Sequence, residues 1–512
     1  MLTSASLLSL LLLQSCNNES KPSDIVVEKN MASPNIIIMY IDDLGYGDVS
    51  SYGATGVSTP NIDRLAHNGL KFNDAHSSAA TCTPSRYSLL TGEHGFRINA
   101  DVLKGDAPLL IPTTKTTLPK MLKKAGYVTG VVGKWHLGLG NGNVDWNNDI
   151  TPGPLDVGFD YSFLLPATGD RVPTVYLENR KIVNLDANDP ISVSYKVKVG
   201  DRATGVEHPE LLRYAADRQH SDTIVNGVSR IGTMAGGESA LWKDEDFSDV
   251  FTSKAINFIR KNKAKPFFLF HSYHDIHVPR LPHPKFKGAT KMGPRGDAIV
   301  QMDWMSGQII NELERLGVAD NTIIIFTSDN GPVLNDGYED HSVELIGKHK
   351  PAGPFRGGKY SAFEAGTRVP MIVYWPGMVK PAQSNALISQ MDIYKSLAKL
   401  LKIEVDNNEA VDSQELLSAL LGQSKEGRTD LLEESVGPHA LRSQSWKYIS
   451  PNKSNNNYPW LKPKGIEGGF SKEAQLYNLT TDIGERTNIA KQHPELVKQF
   501  QQRVTDIVTV GY

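Results

Sequence analysis

The chain has 512 residues, with 54 Lys and Arg against 57 Asp and Glu, a net charge of −3, and 39% hydrophobic residues. This balance excludes a chain disordered over most of its length, which has fewer apolar residues and more net charge. It also excludes a broad basic face that coats nucleic acid, and no run reaches the roughly 18 apolar residues that cross a bilayer.

Leu7–Leu13 is an apolar run broken only by Ser9, the length of a signal-peptide core and too short to span a membrane. The following Leu13-Gln14-Ser15-Cys16 resembles a bacterial lipobox. It implies a signal over residues 1–16, lipidation of Cys16, and a polar tether over 17–33. The expected location is the periplasm or surface of a Gram-negative cell, as an outer-membrane lipoprotein whose lipid anchor is its membrane contact. Cys16 and Cys82 are the only cysteines, so an exported chain has no internal disulfide framework. Cys82 is then either an inert buried thiol or a residue kept for its chemistry.

Downstream, short β-rich runs alternate with helical stretches. Asn35–Tyr40, Tyr127–Val132, Phe267–Phe270, Thr322–Phe326 and Met371–Trp375 are continuous apolar runs that suit parallel strands buried on both faces. Leu118–Ala125, Phe251–Lys261 and Met302–Leu316 read as helices, the last closing at Gly317, and Ser389–Leu401 as another. The alternation predicts an α/β fold over 34–425, a large, mostly parallel sheet sandwiched by helices. Short strands at Ala440–Arg442, Trp446–Ile449 and Gln475–Leu479, with a helix at Pro494–Val508, predict a small antiparallel C-terminal subdomain over 426–512.

Sheets of this kind bind ligands at the carboxyl ends of their strands. Those positions hold Asp42-Asp43, Lys134 and His136, the trio His271, His274 and His277, and Asp329-Asn330. The oxygen donors among them suit one hard dication, Ca²⁺ or Mg²⁺.

Cys82-Thr83-Pro84-Ser85-Arg86-Tyr87-Ser88-Leu89-Leu90-Thr91-Gly92 matches the type I sulfatase signature at every fixed position. Gly126–His136 resembles the second signature of that family, and Thr327–Gly331, Arg356–Lys359 and Arg368–Pro370 extend the likeness. The chain is identified by these motifs as a member of the formylglycine-dependent sulfatases, of alkaline-phosphatase-like fold. The resemblance implies that a maturation enzyme oxidises Cys82 to Cα-formylglycine, whose hydrated aldehyde attacks sulfur and later expels sulfate by elimination.

It further implies that Asp42, Asp43, Asp329 and Asn330, with the matured Cys82, hold one Ca²⁺. Arg86 would face metal and diol, Lys134 and Lys359 would clamp the sulfate, and His136 would assist elimination. His277, placed before Val278-Pro279, fits the general acid for the leaving alcohol, with His274 as its competitor. For the substrate, expected to be a sulfated saccharide attacked from its end, three loops offer polar side chains: His94 and Arg97, Asp170 and Arg171, and His341 and His349. Two other readings stay open: a formylglycine-dependent phosphodiester or phosphonate hydrolase, and a glycan-binding relic without catalysis.

Overall fold

Asn35–Ile41 is buried along its whole length and lies at the centre of a ten-stranded sheet. The computed structural model describes residues 33–452 and 458–512; the expected signal, Cys16 and the tether up to residue 32 lie outside the described residues. The sheet order is Ala382–Ser384, Leu70–Phe72, Met371–Tyr374, Thr322–Ser328, Asn35–Ile41, Phe267–Ser272, Val128–Lys134, Tyr161–Leu165, Leu177–Glu178, Lys181–Ile182.

The five strands from Thr322–Ser328 to Tyr161–Leu165 run parallel, with Ile38 opposite both Phe270 and Ile325. Met371–Tyr374 departs from the expected direction and pairs antiparallel with Thr322–Ser328. A continuous apolar run reports burial on both faces and carries no sign of strand direction.

Alternation along each strand distributes side chains to two helical layers. Ile37, Met39 and Ile41 join Phe251, Ile259, Met302 and Ile309 in the main core, beneath the helices Phe247–Asn262 and Gly293–Arg315. On the opposite face, Tyr40 lies under Arg86 of the helix Cys82–Thr91, with the guanidinium 5.4 Å from the ring centre. That helix is buried at every residue and ends at Gly92, whose φ of 69° lets its N–H return to Ser88 O.

Asp430–Glu433, Ala440–Ser443, Trp446–Ile449 and Gln475–Asn478 form a separate four-stranded antiparallel sheet. Phe500, Val504 and Ile507 of the helix Pro494–Thr509 pack on Leu432, Leu441, Tyr448 and Leu476 of that sheet. Buried charge ties it to the rest: Arg442 pairs with Glu364 at 2.5 Å and Asp74 at 3.1 Å, and Lys447 lies 3.5 Å from Glu364. No described helix is long and apolar enough to cross a membrane.

Candidate active site

Because the central strands are parallel and in register, their carboxyl ends come out on one edge, where they meet the first turn of the helix Cys82–Thr91. Cys82 is its first helical residue, and Arg86 follows one turn later on the same side. Arg86 donates from Nε and Nη2 to Asp329 Oδ2 at 3.1 and 2.7 Å, and from Nη1 to Ser272 Oγ at 2.5 Å. One buried guanidinium thereby fastens the helix to the ends of two strands.

Asp42 and Asp43 extend the central strand, and Asp43 has a φ of 59°, a left-handed conformation that aspartate tolerates. Lys134 Nζ lies 2.5 Å from Asp42 Oδ2, and Lys359 Nζ 2.9 Å from Asp43 Oδ2. Asn330 donates to Asp43 Oδ1 at 2.7 Å. Burial raises the pKa of Asp42 and Asp43 and pushes Asp329, crowded by Asp42, up to about 6. Three buried carboxylates, of Asp42, Asp43 and Asp329, thus face three cations, those of Arg86, Lys134 and Lys359.

The donor set fits a hard dication. Asp42 Oδ1 and Asn330 Oδ1 are buried and have no hydrogen-bond partner, whereas buried polar atoms are ordinarily satisfied. Asp42, Asp43 and His277 also present ligand-type atoms within 4.8 Å of one another. A dication added to the balanced set leaves a net positive site, suited to an anionic ester.

The histidines differ in orientation. His136 Nε2 faces Leu103 O at 2.8 Å; a carbonyl only accepts, so Nε2 carries the hydrogen. Its Nδ1 lone pair then points at Cys82 Sγ, 3.2 Å away. Burial and neighbouring Lys134 keep this imidazole well below its ordinary pKa and therefore neutral. His277 donates from Nδ1 to Val278 O at 2.6 Å, leaving Nε2 toward the site, 4.0 Å from Asp43 Oδ2.

His274 instead spends Nε2 accepting from Gly169 N at 2.9 Å, and burial lowers it to about 3. His277 lines the cavity over Cys82 and His274 does not. His271 is a packed strand residue, fully buried beside Tyr273.

That cavity is about 630 Å³ and is lined by Cys82, His136, His277 and Lys359, then by Asp170, Arg171, Asp336 and His220, and by Tyr360, Tyr458, Trp460 and Lys464. The profile of the sulfatase family matches residues 34–403.

The chain belongs to the sulfatase family. It is therefore a sulfuric ester hydrolase, from a family that generally uses a metal ion and formylglycine. This sulfatase is 50% identical over 501 residues to an N-acetylgalactosamine-6-O-sulfatase of Bacteroides thetaiotaomicron, covering 97% of each chain. It is 31% identical to human arylsulfatase H over 82% of this chain and 80% of that one. A solved Bacteroides thetaiotaomicron structure, from work on the metabolism of multiple glycosaminoglycans, superposes with a TM-score of 0.92 at 50% identity, covering 94% of this chain and all of that one.

Within the sulfatase, the three substrate loops behave differently. Asp170 and Arg171 line the cavity, paired at 2.7 Å. Burial would raise Asp170, yet Arg171 and His220 hold it well below the carboxylate range. His94 and Arg97 are not at the substrate cavity, contrary to the sequence expectation. His94 is buried between Glu434, at 3.0 Å, and the Tyr512 hydroxyl, at 3.3 Å, while Arg97 makes a two-pronged pair with Asp412. His94 ties the segment after the helix Cys82–Thr91 to the C-terminal part, and Arg97 ties it to Asp412 and, at 3.3 Å, to Ile507 O.

His341 and His349 also stand outside the cavity. His341 has a 70% exposed side chain, and His349 binds Asp48 at 2.8 Å, where Asp48 also holds the buried Arg295.

Several lining residues of the sulfatase went unnoticed in the sequence. Asp336 receives Lys359 at 2.9 Å and the Tyr360 hydroxyl at 3.1 Å; against the effect of burial, Lys359 and Lys464 keep its pKa at about 2. His220 sits between Asp217, at 2.7 Å, and Asp170, at 3.4 Å, which raise its pKa against burial. Trp460 rests edge-on against Tyr360 with ring centres 4.9 Å apart. The interleaved aromatics and lysines of Tyr458, Trp460, Lys462 and Lys464 were the available signal for this wall.

Proposed function

We propose that this protein is a carbohydrate sulfatase that removes the 6-O-sulfate of an N-acetylgalactosamine-type sugar at the end of a saccharide chain. The observation that carries the reading is the Cys82–His136 pair opening into a cavity that also holds Asp170, Arg171 and His220, groups suited to sugar hydroxyls. The named activity of the 50% identical relative supports the sugar and the position. A concave cavity of about 630 Å³ is of a size to take one terminal sugar.

Oxidised to formylglycine, residue 82 would supply a hydrated aldehyde as the nucleophile toward sulfur. Asp42, Asp43, Asp329 and Asn330 would hold one Ca²⁺, which would supply Lewis acidity to stabilise charge on a bound sulfate. The chain's own groups do the remaining work. Lys134 and Lys359, anchored by Asp42 and Asp43, orient the sulfate. Arg86, immobilised by Asp329, holds the first helical turn so that residue 82 faces the cavity. His136, with its Nδ1 lone pair aimed at residue 82, accepts a proton there. His277 presents Nε2 on the cavity side; since its Nδ1 hydrogen is spent on Val278 O, it protonates the departing sugar oxygen only as the imidazolium, a form that burial, Lys359 and Lys134 disfavour and that a bound sulfate anion would favour.

The N-terminal segment is read as an export signal with a lipidated Cys16, placing the activity outside the cytoplasm on an outer-membrane tether. Metabolic labelling with a fatty acid, lost in Cys16→Ala, tests that assignment.

The function is tested with protein co-expressed with a formylglycine-generating enzyme and its state at residue 82 checked by peptide mass. Sulfate release is measured from galactose, N-acetylgalactosamine and N-acetylglucosamine sulfated at single known positions. Release from N-acetylgalactosamine 6-sulfate, absent in Cys82→Ala, is expected. Turnover of phosphonates or phosphodiesters with silence across the sulfates would overturn the reading.

A further inference from the structure

A second cavity of about 500 Å³ adjoins the first and is lined by Lys104, Lys196, Lys198 and Arg218 against Glu207 and Asp222. On a chain of net charge −3 this is a local excess of positive charge. Lys198 is paired with Glu207 at 2.7 Å and Arg218 with Asp222 at 3.6 Å. Lys104 and Lys196 are exposed and have no ion-pair partner among the described residues.

The two cavities share a wall. Ile231 lines both, and its N–H donates to Asp170 O at 2.8 Å while its carbonyl accepts from Val172 N at 3.2 Å. The segment that carries Asp170 and Arg171 into the first cavity is thus hydrogen-bonded to the strip that borders the second. Tyr195, in the second cavity, donates from its hydroxyl to Val172 O at 2.6 Å. Lys104 follows Leu103, whose carbonyl holds His136. The loop bearing Lys196 is fixed: Ser194 Oγ accepts from the N–H groups of Lys196 and Val197, and Thr233 Oγ1 donates to Val197 O at 3.0 Å.

We propose that this lysine-lined cavity binds the anionic substituent, carboxylate or second sulfate, of the sugar adjoining the one in the active cavity. The inference rests on the carbohydrate reading above and extends it: the preferred substrate is an anionic oligosaccharide. Its volume lies within the ~300–1,000 Å³ range of small-ligand sites, enough for a sugar ring. Exposed lysines without ion-pair partners suit a chain that must leave after each turnover, since exposed charge pairs are individually weak.

The test compares matured wild type with the Lys104→Ser/Lys196→Ser double variant. Four substrates are used: the sulfated monosaccharide, the same sugar linked to a uronate, the same disaccharide with its carboxyl reduced to an alcohol, and a disaccharide sulfated on the neighbouring sugar. The double variant is expected to keep the kcat/KM of the monosaccharide and neutral disaccharide and to lose about tenfold on the charged ones, through KM. Raising NaCl to about 0.5 M should reproduce that loss in wild type. The uronate and sulfate arms tell which anion is read.

Equal kcat/KM for charged and neutral disaccharides in wild type would overturn the proposal, as would an equal loss on the monosaccharide. Calorimetric titration of the charged disaccharide into Cys82→Ala protein reads the cavity independently of turnover. There, about tenfold weaker binding in the double variant supports the proposal even if no sugar sulfate is hydrolysed, and unchanged binding overturns it.

Discussion

Asn330 donates from Nδ2 to Asp43 Oδ1 over 2.7 Å, and its own Oδ1 remains buried without a hydrogen-bond partner, as does Asp42 Oδ1. The contact holds the amide so that its oxygen is left over, although burying an oxygen unsatisfied costs about 1–3 kcal/mol. A site built this way is stabilised by what it binds. Chelation is expected to abolish sulfate release and lower Tm, and Ca²⁺ to restore both. Cation at about 100 times its Kd adds roughly 2.7 kcal/mol. Asp42→Ala and Asp329→Ala should each remove the Ca²⁺-dependent rise in Tm, measured by calorimetry. An unchanged rise would take that residue out of the set.

His277 and His274 separate by their readouts. His277→Gln is expected to lower kcat by about 10²–10⁴-fold on a sugar sulfate, whose alcohol leaves as a poor anion. On a nitrophenyl sulfate, whose leaving group needs no proton, the loss should shrink to within about tenfold. His274→Ala should lower Tm instead, because the Gly169 N–H loses its acceptor. Equal losses of His277→Gln on both substrates would remove it as the acid.

Glu485, which does not line the cavity, supplies a pH dependence of stability. Burial, with Glu364 close by, pushes its carboxyl up to about 8 against the partial relief of Lys447. Between the ordinary glutamate pKa and about 8 the folded state holds a proton that the unfolded state has released, so stability falls as pH rises through this window and is flat above it. Glutamine keeps an acceptor for the Glu364 N–H, which Glu485 Oε2 receives at 2.8 Å. Glu485→Gln should therefore match wild type in Tm near pH 5 and exceed it by several degrees near pH 9. A pH-independent difference would refute the assignment.

Arg97 is assigned to fastening, not to substrate. Its pair with the buried Asp412 predicts that Arg97→Ala costs about 1–3 kcal/mol in denaturant unfolding, with KM for a sulfated sugar unchanged within about twofold. A raised KM at unchanged stability would return it to the substrate site.

The strand runs were legible because burial on both faces leaves a continuous apolar signature, and the polar residues just after them mark the edge where they end. Asp42, Asp329 and Lys134 could be read in this way. The direction of Met371–Tyr374 could not, since pairing is decided by the chain's path outside the strand. Loop residues carried the least information: His94 and Asp170 look alike as polar residues in loops, yet one is locked against Glu434 and the other opens on the cavity. Asp336, His220 and Lys464 could not be read because the residues they meet at the cavity, Lys359, Asp170 and Asp336, stand tens of residues away along the chain, where no periodicity links them.

Trp460 leans on Tyr360, and Tyr360 follows Lys359 directly with a φ of 73°, an unusual setting for an aromatic residue. The aromatic side of the cavity is thereby joined to Lys359 through the residue next to it in the chain. If Lys359 holds the sulfate as proposed, a change of residue at Trp460 is expected to be felt at the ammonium group as well as at the rim. Preference for a sugar and speed on that sugar would then not be independent dials; variation at the rim would turn both together.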